Sequence, residues 1–456
     1  MRAFTIEEAV RATGGRYFGD EAALHNRITG AESDSRKIES GTLFVAYKGT
    51  RVDGHDFMAD CLRKGAACCL SEREPKGAEE MPCIVVDSTI RGIAALAGWY
   101  RLLFDIPVVG ITGSVGKTTA KEMIWSVLKQ HMKTHKNRLN FNNEISLPLE
   151  LLHLPVDAQA AVMEMGISDF GEMTRLAGMV RPTLAVITNI GDAHLEFLGD
   201  RAGVLRAKSE VFNCMEGEGL AVLNGDDEEL RNYACPVKSI TFGRTAGCDF
   251  VAEDVENLAG NGMLMSIRHH GNRFSVLVPA FGAHMVHAAL MGAAVGWALG
   301  LSDQEIAEGI SAYETVGDRA RLIRENHLTI LSDCYNANPT STAAALDSIR
   351  SLSGRKVCIL GDMLELGAMS PALHRKTGSY AARAGAALVI GCGTLAREIS
   401  EGAKQAGAQA RWYADKPALF DELDQLIQPG DNVLVKASHS MQFEEIVERL
   451  KSLKFA

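Results

Sequence analysis

Residues 106–129 constrain this chain more than any other stretch. Ile106–Thr112 (IPVVGIT) is a continuous apolar run of strand length, Gly113–Thr119 (GSVGKTT) is a glycine-rich turn, and Ala120–Gln130 (AKEMIWSVLKQ) has helical periodicity. A buried strand that turns through glycines into a helix is the building block of parallel α/β sheets. Gly113 and Gly116 let backbone N–H groups turn inward on phosphate oxygens, and the helix N-terminus adds positive potential there. Thr112, Gly113, Ser114, Val115, Gly116, Lys117, Thr118 and Thr119 are therefore the candidate nucleotide-phosphate site. In such a loop the lysine, Lys117, neutralises the β- and γ-phosphates, and the hydroxyl of Thr118 holds Mg²⁺. The spacing departs from GxxxxGK[ST], because position 111 is Ile and Gly110 falls one residue early.

The rest of the chain repeats the alternation of strand and helix. A length of 456 residues predicts about three domains. Residues 1–103 read as a small α/β unit. Thr5 and Glu8 form a capping box, Gly14-Gly15 closes the first helix, and strand-length runs follow at Gly41–Tyr47, Ala66–Leu70 and Cys83–Val86. Residues 104–313 read as a P-loop ATPase-like, mostly parallel sheet, with strands at Ala160–Met165, Leu184–Thr188 and Leu220–Leu223. Residues 314–456 read as a Rossmann-like α/β unit, with strands at Leu328–Ser332, Lys356–Leu360, Ala387–Ile390 and Asn432–Lys436. Between Arg273 and Asp303 there is no Lys, Arg, Asp or Glu. Its many small residues supply little transfer free energy, so Ala283–Leu301 is expected to be a buried helix rather than a membrane span.

Charge and cysteine usage narrow the function classes. A formal net charge of −10 gives no reason to expect a basic nucleic-acid face. The ten cysteines show no CxxC pair, which favours reduced thiols over a disulfide framework. The start MRAFTIEEAV lacks a basic region followed by an apolar core, so no secretory signal is read and a cytoplasmic monomer is expected.

A phosphate loop alone does not choose among kinase, motor, switch and ligase. Further segments do. TGSVGKTT resembles the ATP loop of the Mur ligases, and the resemblance runs along nearly the whole chain. Ser33-Asp34-Ser35-Arg36 and GTLFVAYKGTRVDGHDF resemble the family's UDP-sugar domain. NFNNEISLP at 140–148, MEMG at 163–166, TNIGDAHLEFLGD at 188–200 and AKSEVF at 207–212 resemble its central domain. DCYNANPTS at 333–341 and GDMLELG at 361–367 resemble its C-terminal domain, in the branch that adds D-alanyl-D-alanine.

That resemblance implies an ATP- and Mg²⁺-dependent ligase. It would activate the carboxylate of UDP-N-acetylmuramoyl-tripeptide as an acyl phosphate and pass it to the amine of D-alanyl-D-alanine. Two anions must meet in such a step, so charge neutralisation should dominate catalysis. By resemblance the catalytic set is Lys117, Glu164, His194 and Lys208, with Thr118, Glu164, His194 and a carbamylated Lys208 around the metal. An unmodified ammonium has no lone pair for a metal, whereas a carbamate offers anionic oxygens. Ser33, Ser35 and Arg36 are implied for the uridine diphosphate, with Asp53 and His55 as further candidates for it. Asn140, Asn142 and Asn143 are implied for the muramoyl peptide, and Tyr335, Asn336 and Asn338 for the dipeptide. Arg319 and Asp333 are implied for the nucleotide. Two segments depart from the family pattern. HNxxN reads His284-Met285-Val286-His287-Ala288, where Met285 offers a soft apolar contact, and KGSR reads Lys436-Ala437-Ser438-His439. The competing expectations are another Mur-type amino-acid ligase and a non-catalytic nucleotide-binding paralogue.

Overall fold

The first turn of the chain forms as its caps dictate. Thr5 accepts from the Glu8 N–H, Glu8 reaches back to the Thr5 N–H, and helix Ile6–Thr13 stops at Gly14 with φ 65°. The computed structural model describes residues 1–50, 52–75, 81–215, 217–258, 262–315 and 321–455. Its first large sheet runs in the order Arg16–Phe18, Cys83–Val85, Cys68–Ser71, Thr42–Val45, Gly30–Glu32, parallel throughout except at Arg16–Phe18. Three of these strands lie on the apolar runs read from the sequence. Arg16–Phe18 and Gly30–Glu32 are three residues each and carry no apolar run that would announce them.

The central sheet has nine strands. In order they are Asn272–Val278, Met263–His269, Phe250–Asn257, Lys238–Gly243, Leu220–Asn224, Leu184–Ile187, Val108–Thr112, Ala160–Glu164 and Thr134–Lys136. All neighbours from Phe250–Asn257 to Thr134–Lys136 are parallel, and Met263–His269 and Asn272–Val278 form an antiparallel hairpin on the Phe250–Asn257 edge. The expectation of a mostly parallel sheet holds, but the hairpin was not read from the sequence. The third sheet runs Arg321–Glu325, Leu328–Ser332, Asn432–Lys436, Lys356–Gly361, Leu388–Cys392, Gln409–Tyr413, with only its first pair antiparallel.

Alternation along the P-loop strand explains the layers. Val109 and Ile111 face a core built with helices Lys117–Leu128, His284–Ala298 and Asp303–Ser311. Val108 faces the opposite core, which continues without a break through helix Thr89–Arg101 into the N-terminal unit at Phe4 and Leu43. Arg101, nearly fully buried, fixes that seam by donating to the carbonyls of Val180 at 3.1 Å and Phe104 at 2.7 Å. The charge-free stretch forms the buried helix His284–Ala298, and no helix among the described residues is long and apolar enough to cross a membrane. All ten cysteines are free, and burial pushes the thiols of Cys83, Cys334, Cys358 and Cys392 up to about 12.

The helix that begins at Lys117 is wedged tightly from behind. A Cβ on Gly309 would lie 2.4 Å from Val127 Cα, and one on Gly296 would lie 3.0 Å from Val127 Cγ1. Gly309→Ala must therefore push the P-loop helix outward. The expected cost is about 1–3 kcal/mol, read as a lowered urea midpoint with an unchanged slope. An unchanged midpoint would show that this seam is loosely packed.

Candidate active site

The site grows from the carboxyl end of strand Val108–Thr112. Its neighbours in register are Glu164 opposite Ile111 on one side and Ile187 opposite Thr112 on the other. Gly113 leaves the strand at φ 145°, so close to Thr188 that a Cβ would sit 1.9 Å from its hydroxyl oxygen. Gly116 opens the helix at φ 82°, in the left-handed region that suits glycine. The turn is braced from below. Ser114 N–H donates to the Asn189 carbonyl at 3.1 Å, Val115 N–H donates to Asn189 Oδ1 at 3.0 Å, and Thr188 Oγ1 donates to the Val115 carbonyl at 2.6 Å. Ser114 and Val115 thus turn their N–H groups onto Asn189, leaving the helix N-terminus at Lys117, Thr118 and Thr119 as the anion-facing part of the loop. Lys117 Nζ donates to the Gly113 carbonyl at 2.8 Å, folded back over the turn. Thr112 Oγ1 is buried with no partner among the described residues, the kind of atom a bound nucleotide or its water would satisfy.

Glu164 is the meeting point. It is almost fully buried, and each carboxylate oxygen has a donor: Thr118 Oγ1 at 2.8 Å and Asn142 Nδ2 at 2.6 Å. Lys121 Nζ lies 3.7 Å from the same carboxylate and donates to the carbonyls of Asn137 at 2.9 Å and Leu139 at 2.6 Å. Asn137 closes the ring by accepting from the Glu164 N–H at 2.8 Å. Lys121 and Asn137 stand in this cluster although the sequence reading did not name them. The available signal was position: Lys121 lies one helical turn beyond Lys117, on the same face.

Lys208 ends helix Arg201–Ser209, which Asp200 caps through the Gly203 N–H at 2.7 Å. Its side chain is almost fully buried. Burial first, and then the charge of Lys117, hold its amine well below the usual lysine range. His194 begins the short helix Leu195–Leu198, and its Nδ1 lies 2.6 Å from Glu365 Oε2 on the C-terminal unit. That bond holds the Glu365 carboxyl below its ordinary range. Among the described residues no three His, Cys, Asp or Glu side chains converge on one point. Of the residues expected around Mg²⁺, the hydroxyl of Thr118 and the carboxylate of Glu164 meet at 2.8 Å, both hard oxygens as that ion prefers.

The other predicted residues divide. Asn142 joins the site, but Asn143 Oδ1 accepts from the N–H groups of Ile145 and Ser146 and caps its own turn, while Asn140 is exposed. Arg36 lies on Asp34 through a two-point contact of 2.9 and 2.8 Å, Ser33 is exposed, and the Ser35 carbonyl accepts from Lys64. Asp53 and His55 brace their own loop, with His55 Nδ1 2.6 Å from Asp53 and the Glu72 N–H donating to Nε2 at 3.0 Å. The N-terminal unit meets the asparagine loop where Tyr47 OH donates to the Ile145 carbonyl at 3.0 Å. Asp333 takes the buried Lys436 ammonium at 2.5 Å, and the Asn336 carbonyl takes the same group at 2.7 Å. The Tyr335 ring lies 5.4 Å from that of His439. Asn338 accepts from the Ser341 N–H at 2.7 Å and so caps helix Pro339–Arg350. Arg319 lies outside the described residues. Met285 and Ala288 are buried in the central core, so the apolar contact expected of Met285 is made to the protein itself. The polar pair nearby is His287 with Asp226, at 2.8 Å.

The fold and site define an α/β protein built around a phosphate loop. The chain belongs to the Mur ligase family. Family models match residues 27–95 (Mur ligase family, catalytic domain), 111–296 (Mur ligase middle domain) and 318–439 (Mur ligase, glutamate ligase domain). It is 36% identical over 452 residues to the UDP-N-acetylmuramoyl-tripeptide–D-alanyl-D-alanine ligase of Bacillus subtilis (strain 168), covering 98% of this chain and 97% of that one. A crystal structure of MurF from Acinetobacter baumannii matches with a TM-score of 0.91 at 31% identity, covering 99% of each chain. MurF from Thermotoga maritima in complex with ADP matches with a TM-score of 0.83 at 28% identity, over 92% of this chain and 97% of that one.

The Lys208 environment makes a stability prediction. The folded state disfavours the protonated amine, so unfolding takes up a proton and stability rises with pH toward the ordinary lysine value near 10.5. Lys208→Met removes the buried amine and should stabilise the fold by about 1–4 kcal/mol in CO₂-depleted buffer. The advantage should shrink as pH climbs toward that value. A less stable Met variant at every pH would mean that Lys208 is well compensated in the fold.

Proposed function

We propose that this chain is an ATP-dependent ligase that joins D-alanyl-D-alanine to UDP-N-acetylmuramoyl-tripeptide, releasing ADP and phosphate and yielding UDP-N-acetylmuramoyl-pentapeptide. One observation carries the reading: the phosphate loop and the asparagine loop meet on one buried carboxylate, Glu164, through Thr118 and Asn142. It is made in a chain similar over nearly its full length to ligases named for this reaction.

The chemistry follows from the groups present. A peptide carboxylate is a poor electrophile, so its oxygen first attacks the γ-phosphorus of ATP and ADP leaves. The dipeptide amine then attacks the acyl carbon, and phosphate departs with the carboxylate oxygen. Lys117, folded over the phosphate turn, would swing onto the transferring group and neutralise it. Mg²⁺, when bound, would supply Lewis-acid neutralisation of the phosphates. Thr118, Glu164, His194 and Lys208 are the residues assigned to it. Burial disfavours the ammonium and so favours the neutral amine, whose lone pair would attack CO₂; the N–C bond forms, a proton leaves, and the neutral amine becomes a carbamate anion. The buried position of Lys208, beside the charge of Lys117, supports that assignment.

Substrate groups would divide among units spanning 1–103, 104–313 and 314–456. Ser33, Ser35 and Arg36 would hold the uridine diphosphate, with Arg36 exchanging Asp34 for phosphate. Asn140, Asn142 and Asn143 would hold the muramoyl peptide. Tyr335, Asn336 and Asn338 would shape the dipeptide pocket, and Arg319 and Asp333 would serve the nucleotide. The protein would act as a cytoplasmic monomer.

The test is an assay of phosphate release and product mass with ATP, Mg²⁺ and each acceptor in turn. Release should require both the nucleotide-sugar tripeptide and D-alanyl-D-alanine; phosphorylation of the dipeptide alone would replace the ligase with a kinase. Lys117→Ala should lose about 10²-fold or more in kcat. Lys208→Ala should lose most activity and regain part of it with millimolar-range acetate or formate, whereas Glu164→Ala should not respond. Full activity of Lys208→Ala without added acid would remove the carbamate.

A further inference from the structure

His194 and Glu365 stand 171 residues apart, on the central and C-terminal units, yet share a hydrogen bond of 2.6 Å between Nδ1 and Oε2. Both hold left-handed backbone, with φ of 55° and 60°, a conformation that non-glycine residues keep only where their surroundings enforce it. Their seam is built from both sides. The Glu196 N–H donates to the Glu365 carbonyl at 3.4 Å, and the Asp192 N–H donates to Thr340 Oγ1 at 3.2 Å. A Cβ on Gly367 would lie 3.2 Å from Glu196 Cα, so the two backbones are in close contact. Nothing in the nucleotide or substrate assignments above uses Glu365.

The chemistry of the pair is directional. A carboxylate only accepts, so the proton of a neutral His194 ring is drawn to Nδ1 and the lone pair is left on Nε2. In water the neutral ring can place its proton on either nitrogen; here the C-terminal unit makes the choice. We propose that Glu365 is a positioning residue: it fixes His194 with Nδ1 protonated and Nε2 as its only available donor atom, and it does so only while the C-terminal unit is docked. A ring that turned or changed tautomer would present N–H in place of a lone pair and repel a cation. The catalytic consequence rests on the assignment of His194 to Mg²⁺ above, but the tautomer does not.

The experiment is two-bond ¹H–¹⁵N spectroscopy of the histidine rings in the full-length protein without nucleotide, at a pH well above the ordinary histidine value of about 6.5. His194 is identified among the 13 histidines as the signal lost in His194→Gln. Wild type should show protonated Nδ1 and bare Nε2. Glu365→Ala should move toward the Nε2–H form. Glu365→Gln, whose amide donates as well as accepts, should give a mixture. In turnover assays the Mg²⁺ concentration for half-activity should rise about 10–100-fold in Glu365→Ala and less in Glu365→Gln, with KM for D-alanyl-D-alanine within about twofold of wild type. A wild-type ring protonated on Nε2, or a tautomer unchanged in Glu365→Ala, overturns the proposal. Should wild type show no ligase turnover, the functional reading falls while the ring spectra still decide the role of Glu365.

Discussion

The parallel pairing of Val108–Thr112 with Ala160–Glu164 on one side and Leu184–Ile187 on the other is the constraint the rest of the molecule inherits. Parallel neighbours end at the same edge, so one register brings Glu164, the phosphate turn and Thr188-Asn189 to a common rim. Crevices at the carboxyl ends of such strands are where this architecture binds ligands. The turn can be glycine-rich and sharp because Thr188 and Asn189 hold it from beneath. The helix behind it cannot drift, because Gly296 and Gly309 bring neighbouring helices onto Val127.

That rim concentrates charge on buried side chains. Lys121 and Lys208 are both enclosed, but their circumstances differ. Lys121 has two carbonyl acceptors and the nearby Glu164 and Glu122 carboxylates, so its charge is compensated. Lys208 has burial and the neighbouring Lys117 charge acting against its ammonium. Burying an ammonium beside a like charge is unfavourable, which is why the Lys208 amine is held well below the usual lysine range. An arriving polyanion changes the balance, because Lys117 can leave the Gly113 carbonyl for a phosphate. Thr118 and Asn142 hold the Glu164 carboxylate between the phosphate loop and the asparagine loop.

Much of this was legible in the chain. The apolar run before GSVGKTT, the Thr5–Glu8 box and the C-terminal strands carry local signals strong enough to read, because each depends on residues close in sequence. The hairpin at Met263–Val278 was not read, since Met263–His269 is mostly buried and Asn272–Val278 mostly exposed, so neither strand alternates regularly over its length. Asn338 shows how a motif hides a simpler role: an asparagine followed by proline is a helix start, and its side chain caps that helix. The partnership of His194 with Glu365 was invisible for a different reason. Each lies in a segment that was singled out, but only docking of two separate units makes them neighbours.

The claim that organises all of this is that a substrate carboxylate is activated at the rim by becoming an acyl phosphate. Oxygen tracing tests it most directly. UDP-N-acetylmuramoyl-tripeptide labelled with ¹⁸O in its terminal carboxylate would be turned over with ATP and D-alanyl-D-alanine, and the released phosphate examined by mass. The account predicts one ¹⁸O carried into phosphate for each peptide bond formed, because the carboxylate oxygen that attacks phosphorus leaves with it. Phosphate free of ¹⁸O alongside normal product would contradict it.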